Sequence, residues 1–313
     1  VLESIERILV DMDPTTDEQP ALMQAINIAK KYGASIEIFL AERNDSILSH
    51  WPLTEGQEEE VISHFLKARR RWLESYVAEV AAMGIPISID AVWEAPVYQA
   101  VIHKLQRSNF DLVVKSTHVH PTLSKMFFMP NDWQLMKACP APLLLTRQPV
   151  QPYETIMACV DPMNTNESHH GLDERILQTS VMFAENFRGT CHAAHCWHTV
   201  PEDLWQGLWV GEPQMGIAGL KYDTYFKGVE KRHQEQFDKL LKHQPIDMDK
   251  RHLLHGDPNP LLTDIAATKN VDLMVIGSQY KTGFMGTTME VLLDKLSCDV
   301  LVLKPEGFQT PVH

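Results

Sequence analysis

Several things are scarce in this chain, and each scarcity closes off a class. No apolar run exceeds strand length, residues 112–114 and 143–145 being typical, so no membrane insertion is expected. Cations are in deficit: 28 Lys and Arg against 41 Asp and Glu leave a formal net charge of −13. Nucleic-acid binding needs a clustered basic face. The one dense basic run, residues 67–71 (KARRR), follows Glu58, Glu59 and Glu60 in a helical pattern and reads as a solvated face. Cysteine is sparse and odd in number, five in 313 residues, which points to reduced thiols and a cytoplasmic setting. Glu3, Glu6 and Arg7 break the first apolar run, so no secretory leader is expected. Glycine is missing altogether between Gly84 and Gly171.

What is present is present twice. Residues 7–41 and 155–194 share one plan: an apolar run, an Asp-Pro, a polar stretch, a helical stretch, a Gly and a second apolar run. The ends of the halves correspond as well, SNFDLVVKSTH at 108–118 with KNVDLMVIGSQY at 269–280, and PAPLLLTR at 140–147 with CDVLVLKP at 298–305. A repeat of this size in a chain of this length implies two domains, 1–148 and 149–313, joined through the Pro-containing stretch 147–154.

Hydrophobic spacing predicts strands at 7–12, 35–41, 87–92, 112–116 and 141–146, and at 155–160, 190–197, 249–254, 273–277 and 300–303. Helices are predicted at 21–32, 58–83, 97–107 and 132–138, then at 172–187, 222–242, 260–268 and 288–296. Strands that alternate with helices and are nearly continuous apolar runs indicate parallel sheets covered on both faces, an α/β fold. Pairing of the closing strands of the two halves would join them as an intrachain pseudo-dimer. Two segments stand outside the repeat: 43–56, with Trp51-Pro52, and 198–221, with Trp205, Trp209 and Met215. The second is either a packed lid or the wall of a pocket for an apolar, lipid-like small molecule.

In such sheets ligands bind beyond the carboxyl ends of the strands. Asp13 and Asp161 follow the first strand of each half, where a carboxylate can accept hydrogen bonds from a ribose hydroxyl or a base amine; an Asp-Pro there can equally just open a turn. Residues 277–288 (GSQYKTGFMGTT) lead from a strand into a helix, with Gly277 and Gly286 allowing close backbone approach and Thr287 and Thr288 offering hydroxyls at a helix N-terminus. The segment is neither a P-loop nor a dinucleotide fingerprint. His192, His195 and His198 with Cys191 and Cys196 lie on one predicted strand, and His252 and His255 on the next. Strand alternation leaves His192, His198 and one of His252 or His255 as the set that zinc would need. Motifs for catalysis such as GxSxG or HExxH are missing, so no enzymatic activity is expected from the residues alone.

An early strand-end Asp, then Gly-x-x-Gly, a gap, and Gly-Ser/Thr before the last helix resembles the ATP-binding signature of universal stress proteins. The resemblance covers the whole chain, and DKLSCDVLVLKPEGFQTPV with DWQLMKACPAP is most similar to the tandem E-type members. It implies two flavodoxin-like (adenine nucleotide alpha hydrolase-like) domains, each a five-stranded parallel sheet of order 3-2-1-4-5. It also implies a stress-response binding protein that holds ATP or AMP in that crevice, hydrolyses ATP weakly at most and pairs its domains, while further pairing of whole chains as a homodimer stays open. Carried onto this sequence, Asp161 meets the adenosine part, Ile276 and Gly277 the ribose and phosphates, and Gly286, Thr287 and Thr288 the phosphate chain, with Cys196 and Ser278 beside them. Tyr280 stands at the second glycine of the signature, and five residues rather than nine precede Gly286. In the first half Ser116 replaces Gly277 and residues 127–130 (FFMP) replace the Gly-Thr-Thr, so the nucleotide is expected in the second domain alone.

Overall fold

Strands form where apolar runs meet turn residues, and helices where apolar residues recur every three or four positions. The computed structural model describes residues 4–49, 54–117, 130–147, 152–164, 171–208, 221–278 and 295–312. The first half runs β1 (Arg7–Asp11), α1 (Pro20–Tyr32), β2 (Ser35–Ala41), α2 (Ser46–Ser49), α3 (Glu55–Ala82), β3 (Ile87–Val92), α4 (Val97–Arg107), β4 (Leu112–Ser116), α5 (Pro130–Ala138) and β5 (Leu143–Thr146). The second runs β6 (Thr155–Cys159), α6 (Leu172–Phe187), β7 (Thr190–Trp197), α7 (Glu202–Leu208), α8 (Tyr222–Leu241), a 3₁₀ turn (Met248–Lys250), β8 (Arg251–His255), α9 (Pro258–Thr268), β9 (Leu273–Gly277) and β10 (Asp299–Leu303). The helix expected at 288–296 falls largely outside the described residues.

Local chemistry sets the boundaries. Helix α1 begins with Pro20, which has no N–H to lose, and ends at Gly33, whose φ of 72° lets its N–H close on the Ala29 carbonyl at 2.8 Å. Strand β8 starts two residues later than the expected 249. Lys250 bonds back to Asp247 through both backbone (3.0 Å) and side chain (2.6 Å), and that local turn competes with extension.

The strands form one sheet in the order β3-β2-β1-β4-β5-β10-β9-β6-β7-β8, two copies of 3-2-1-4-5 set edge to edge. Within each half every pairing is parallel. Both faces are buried: Ile8 and Val10 of β1 point into one core and Leu9 into the other, and each core draws residues from both halves. The seam is antiparallel, with Leu145 opposite Val300, Leu144 opposite Leu301 and Leu143 opposite Val302. Leu144 and Leu301 are repeat equivalents, so they mark a pseudo-two-fold axis. Two cations obey the same axis. Arg147, just after β5, donates from Nη1 to the Leu296 carbonyl at 2.6 Å, while its equivalent Lys304, just after β10, donates from Nζ to the Lys137 carbonyl at 2.9 Å. In α5 that carbonyl lies in the last turn, where cations are favoured.

Candidate functional site at the carboxyl edge of the second domain

Strand β6 lies between β7 and β9, so its carboxyl end is the switch point of the second domain. Asp161 stands there with its side chain 55% exposed. Its backbone N–H donates to Asp173 Oδ1 at 2.9 Å, and Asp173 is buried in the first turn of α6, where a carboxylate suits the helix N-terminus. Asp161 therefore offers an accessible carboxylate on an anchored backbone.

Behind it lies a histidine pair. His195, only 1% exposed, has Nδ1 3.2 Å from the Val160 carbonyl and Nε2 2.8 Å from His233 Nδ1 on α8. A carbonyl can only accept, so His195 donates from Nδ1 and must accept at Nε2 from the His233 N–H. Burial depresses the His195 pKa against the opposing pull of Asp161, whose Oδ1 is 4.0 Å from Nδ1; burial and then His195 itself depress that of His233. Both shifts favour the neutral imidazole, and the two rings hold each other through the Nε2–Nδ1 bond.

Other expected residues have different placements. Ile276 is buried in the core on the α9 side, and a Cβ on Gly277 would lie 2.6 Å from Leu172 Cδ2, so the missing side chain makes room for α6. Cys196 packs at the same core beside Cys159, and burial lifts its thiol to about 12, leaving it protonated. Ser278 is buried, donating its N–H to the Leu303 carbonyl at 2.8 Å and accepting from Lys304 Nζ at 3.0 Å. Lys304 is 3% exposed, has no carboxylate partner among the described residues, and is lowered by burial to about 8. Sequence reasoning passed it over: the repeat read from sequence sets Lys304 against Thr146, and the strand register is what makes it the counterpart of Arg147. Tyr280, Gly283, Gly286, Thr287 and Thr288 lie outside the described residues, as do His169, His170, Trp209 and Met215.

The corresponding edge of the first domain is closed by its own charges. Lys115 Nζ is 2.6 Å from Asp11 and 3.6 Å from Asp132, in the first turn of α5. Burial works against the ammonium, but Asp11 and Asp132 outweigh it and hold the group above the ordinary lysine value. Their repeat equivalents, Asp11 for Cys159 and Lys115 for Ile276, form an uncharged pair in the second half. Asp13 accepts from the N–H and hydroxyl of Thr15 at 2.8 and 2.6 Å, an Asx turn that fits the plain turn reading.

Of the histidines expected around zinc, the fold joins two. His192 Nδ1 and His252 Nε2 are 3.0 Å apart with near-parallel rings. His255 lies three residues along β8 and so on the opposite face, against Trp197 and Phe226, while His198 is exposed beyond the end of β7. Among the described residues no group of three or more His, Cys, Asp or Glu is placed to hold a metal ion. The described part of the 198–221 insertion, α7, packs on α8: Trp205 stacks on Tyr225 at 4.1 Å, and Val200 N–H donates to the Tyr225 hydroxyl at 3.2 Å.

No described helix is long and apolar enough to cross a membrane. The chain is 26% identical over 314 residues to Universal stress protein E of Escherichia coli K12, covering 98% of this chain and 96% of that one. It is also 26% identical over 318 residues to Universal stress protein E of Photorhabdus laumondii, covering 99% and 98%. Among solved structures, a functionally unknown protein of Pseudomonas aeruginosa PAO1 superposes with a TM-score of 0.72 at 23% identity over 97% of this chain and 94% of that one. A universal stress protein of Archaeoglobus fulgidus gives 0.62 at 13% identity over 95% and 98%. The universal stress protein family profile matches twice, at residues 4–147 and 152–304, and with the doubled 3-2-1-4-5 sheet this establishes the chain as a tandem member of the universal stress protein family.

Proposed function

We propose that this is a cytoplasmic binding and regulatory protein in which the second domain, 149–313, senses an adenine nucleotide and the first, 1–148, serves as its structural partner. The observation that carries the reading is the contrast at the two switch points: Asp161 presents an exposed carboxylate, whereas in the first domain Asp11 and Asp132 are buried around the Lys115 ammonium. An anchored, accessible carboxylate suits a ribose hydroxyl or the adenine amine. The loop after β9 carries Gly286, Thr287 and Thr288, residue types that receive phosphate at a helix N-terminus. The sequence carries no motif for catalysis, so binding rather than turnover is proposed.

Isothermal titration with ATP and AMP tests this. Saturable heat is expected with at least one nucleotide, reduced about tenfold in affinity by Asp161→Ala and abolished by Gly286→Trp, with unchanged thermal melting. Absence of heat with both nucleotides would sink the proposal.

A further inference from the structure

We propose that the first domain carries a separate ligand site, a groove between α1 and α3 that takes an organic cation with an apolar body. The groove has a volume of about 350 Å³, within the range of small-molecule sites. Leu22 and Ile26 of α1 and Val80 of α3, all buried, form its floor. Met23, 45% exposed, lies at the mouth, an apolar side chain with nothing described over it. The rim is acidic: Asp17 and Glu18 stand just before α1, and Glu79 faces them from α3.

The charge pattern decides what fits. None of the residues lining the groove is Lys, Arg or His. An anion would be repelled, and a neutral hydrophobe would gain from the floor but nothing from the rim. Tyr76 adds a ring on the α3 side, fixed edge-on by Trp72 at 5.4 Å between centroids. Its hydroxyl is held protonated by partial burial and then by Asp17, in keeping with a negative field in the groove. An aromatic face beside carboxylates is a site for an ammonium group, each exposed carboxylate contributing about 1.4- to 5-fold in affinity and the ring about 2- to 5-fold. Gln19 ties the groove to the strand-end turn, lining one wall while its amide donates to the Asp13 carbonyl at 2.7 Å. The site lies in the other domain from Asp161 and does not depend on the nucleotide proposal.

The test is calorimetric titration of the full chain with 4-phenylbutylammonium chloride, set beside its neutral isostere 4-phenylbutanol. The ammonium is expected to bind saturably, to weaken as salt is raised, and to exceed the alcohol in affinity by about fivefold or more. Asp17→Asn combined with Glu79→Gln, both exposed positions, should weaken the ammonium about five- to tenfold while leaving the alcohol unchanged. Met23→Lys sets a cation of the protein's own at the mouth and should abolish binding, and Asp161→Ala should leave it intact. Circular-dichroism melting confirms that each variant is folded; should Met23→Lys fail to fold, the double variant decides. No heat at millimolar ammonium, equal affinity for ammonium and alcohol, or indifference to the double variant would each overturn the proposal.

Discussion

A single methyl group at Gly277 would meet Leu172 Cδ2 at 2.6 Å and Ile176 Cδ1 at 3.2 Å, both in side chains enclosed by the core. Gly277→Ala should therefore cost about 1–3 kcal/mol through overpacking, seen as a lower urea midpoint with unchanged slope. A neutral result would remove the packing explanation for this glycine. The glycine itself was legible in the sequence; what crowds it was not, because Leu172 reaches it only after α6 docks. Titration gives a second handle. His252 is lowered to about 4, by burial first and then by His192 and Lys269. Above pH 6.5 neither folded nor unfolded chain protonates it; between 6.5 and about 4 only the unfolded chain does, so stability falls as pH drops through that window. His192 and His195, lowered in the same direction, add to the fall. The melting temperature should drop between pH 7 and pH 5, and His252→Gln, which keeps an amide beside His192, should flatten the drop.

Among the elements, the strands were the most legible. β9 opens on an uninterrupted apolar run, β4 carries the shorter run Leu112–Val114 before Lys115, and β7 carries period-two alternation, signals that depend on local sequence alone. Where local polar bonding competes, as at Asp247 and Lys250, the reading slipped by two residues. The alternation of β7 also separated its histidines by face, since His195 meets α8 on one side and His192 meets β8 on the other. Distance across the sheet was beyond it. Joining His192 to His252, or Asp11 to Lys115, takes the register between strands, and that register is a tertiary outcome. Helix α8 shows the same limit: its apolar spacing marked a helix, while the placement of His233 on His195 depends on how the helix docks.

At the scale of the molecule, the exchanged cations add a second tie between the domains beside the strand seam. Lys304 illustrates what that tie costs. Its folded pKa of about 8 lies below the ordinary 10.5, so between these values the unfolded chain holds a proton that the folded chain has released, and the group's contribution favours folding increasingly as pH rises from 8 to 10.5. Lys304→Met should erase that contribution, measured as the difference between wild-type and variant stabilities across the interval. A difference independent of pH would contradict the burial of the ammonium. The duplication made the seam foreseeable, but the crossing of Arg147 and Lys304 onto the opposite carbonyls emerges only once Leu144 and Leu301 are set face to face.

That seam has a further consequence. Two separate chains meeting through such an edge would part on dilution, and a change in one would appear in both. Here the partners are tethered through residues 147–154, which places each at an effective concentration in the millimolar range with respect to the other. Their ratio is fixed at one to one, whatever the level of expression. Charges such as Lys115 and Asp11 could accumulate in one half without altering its twin, and the pair could specialise while remaining a pair.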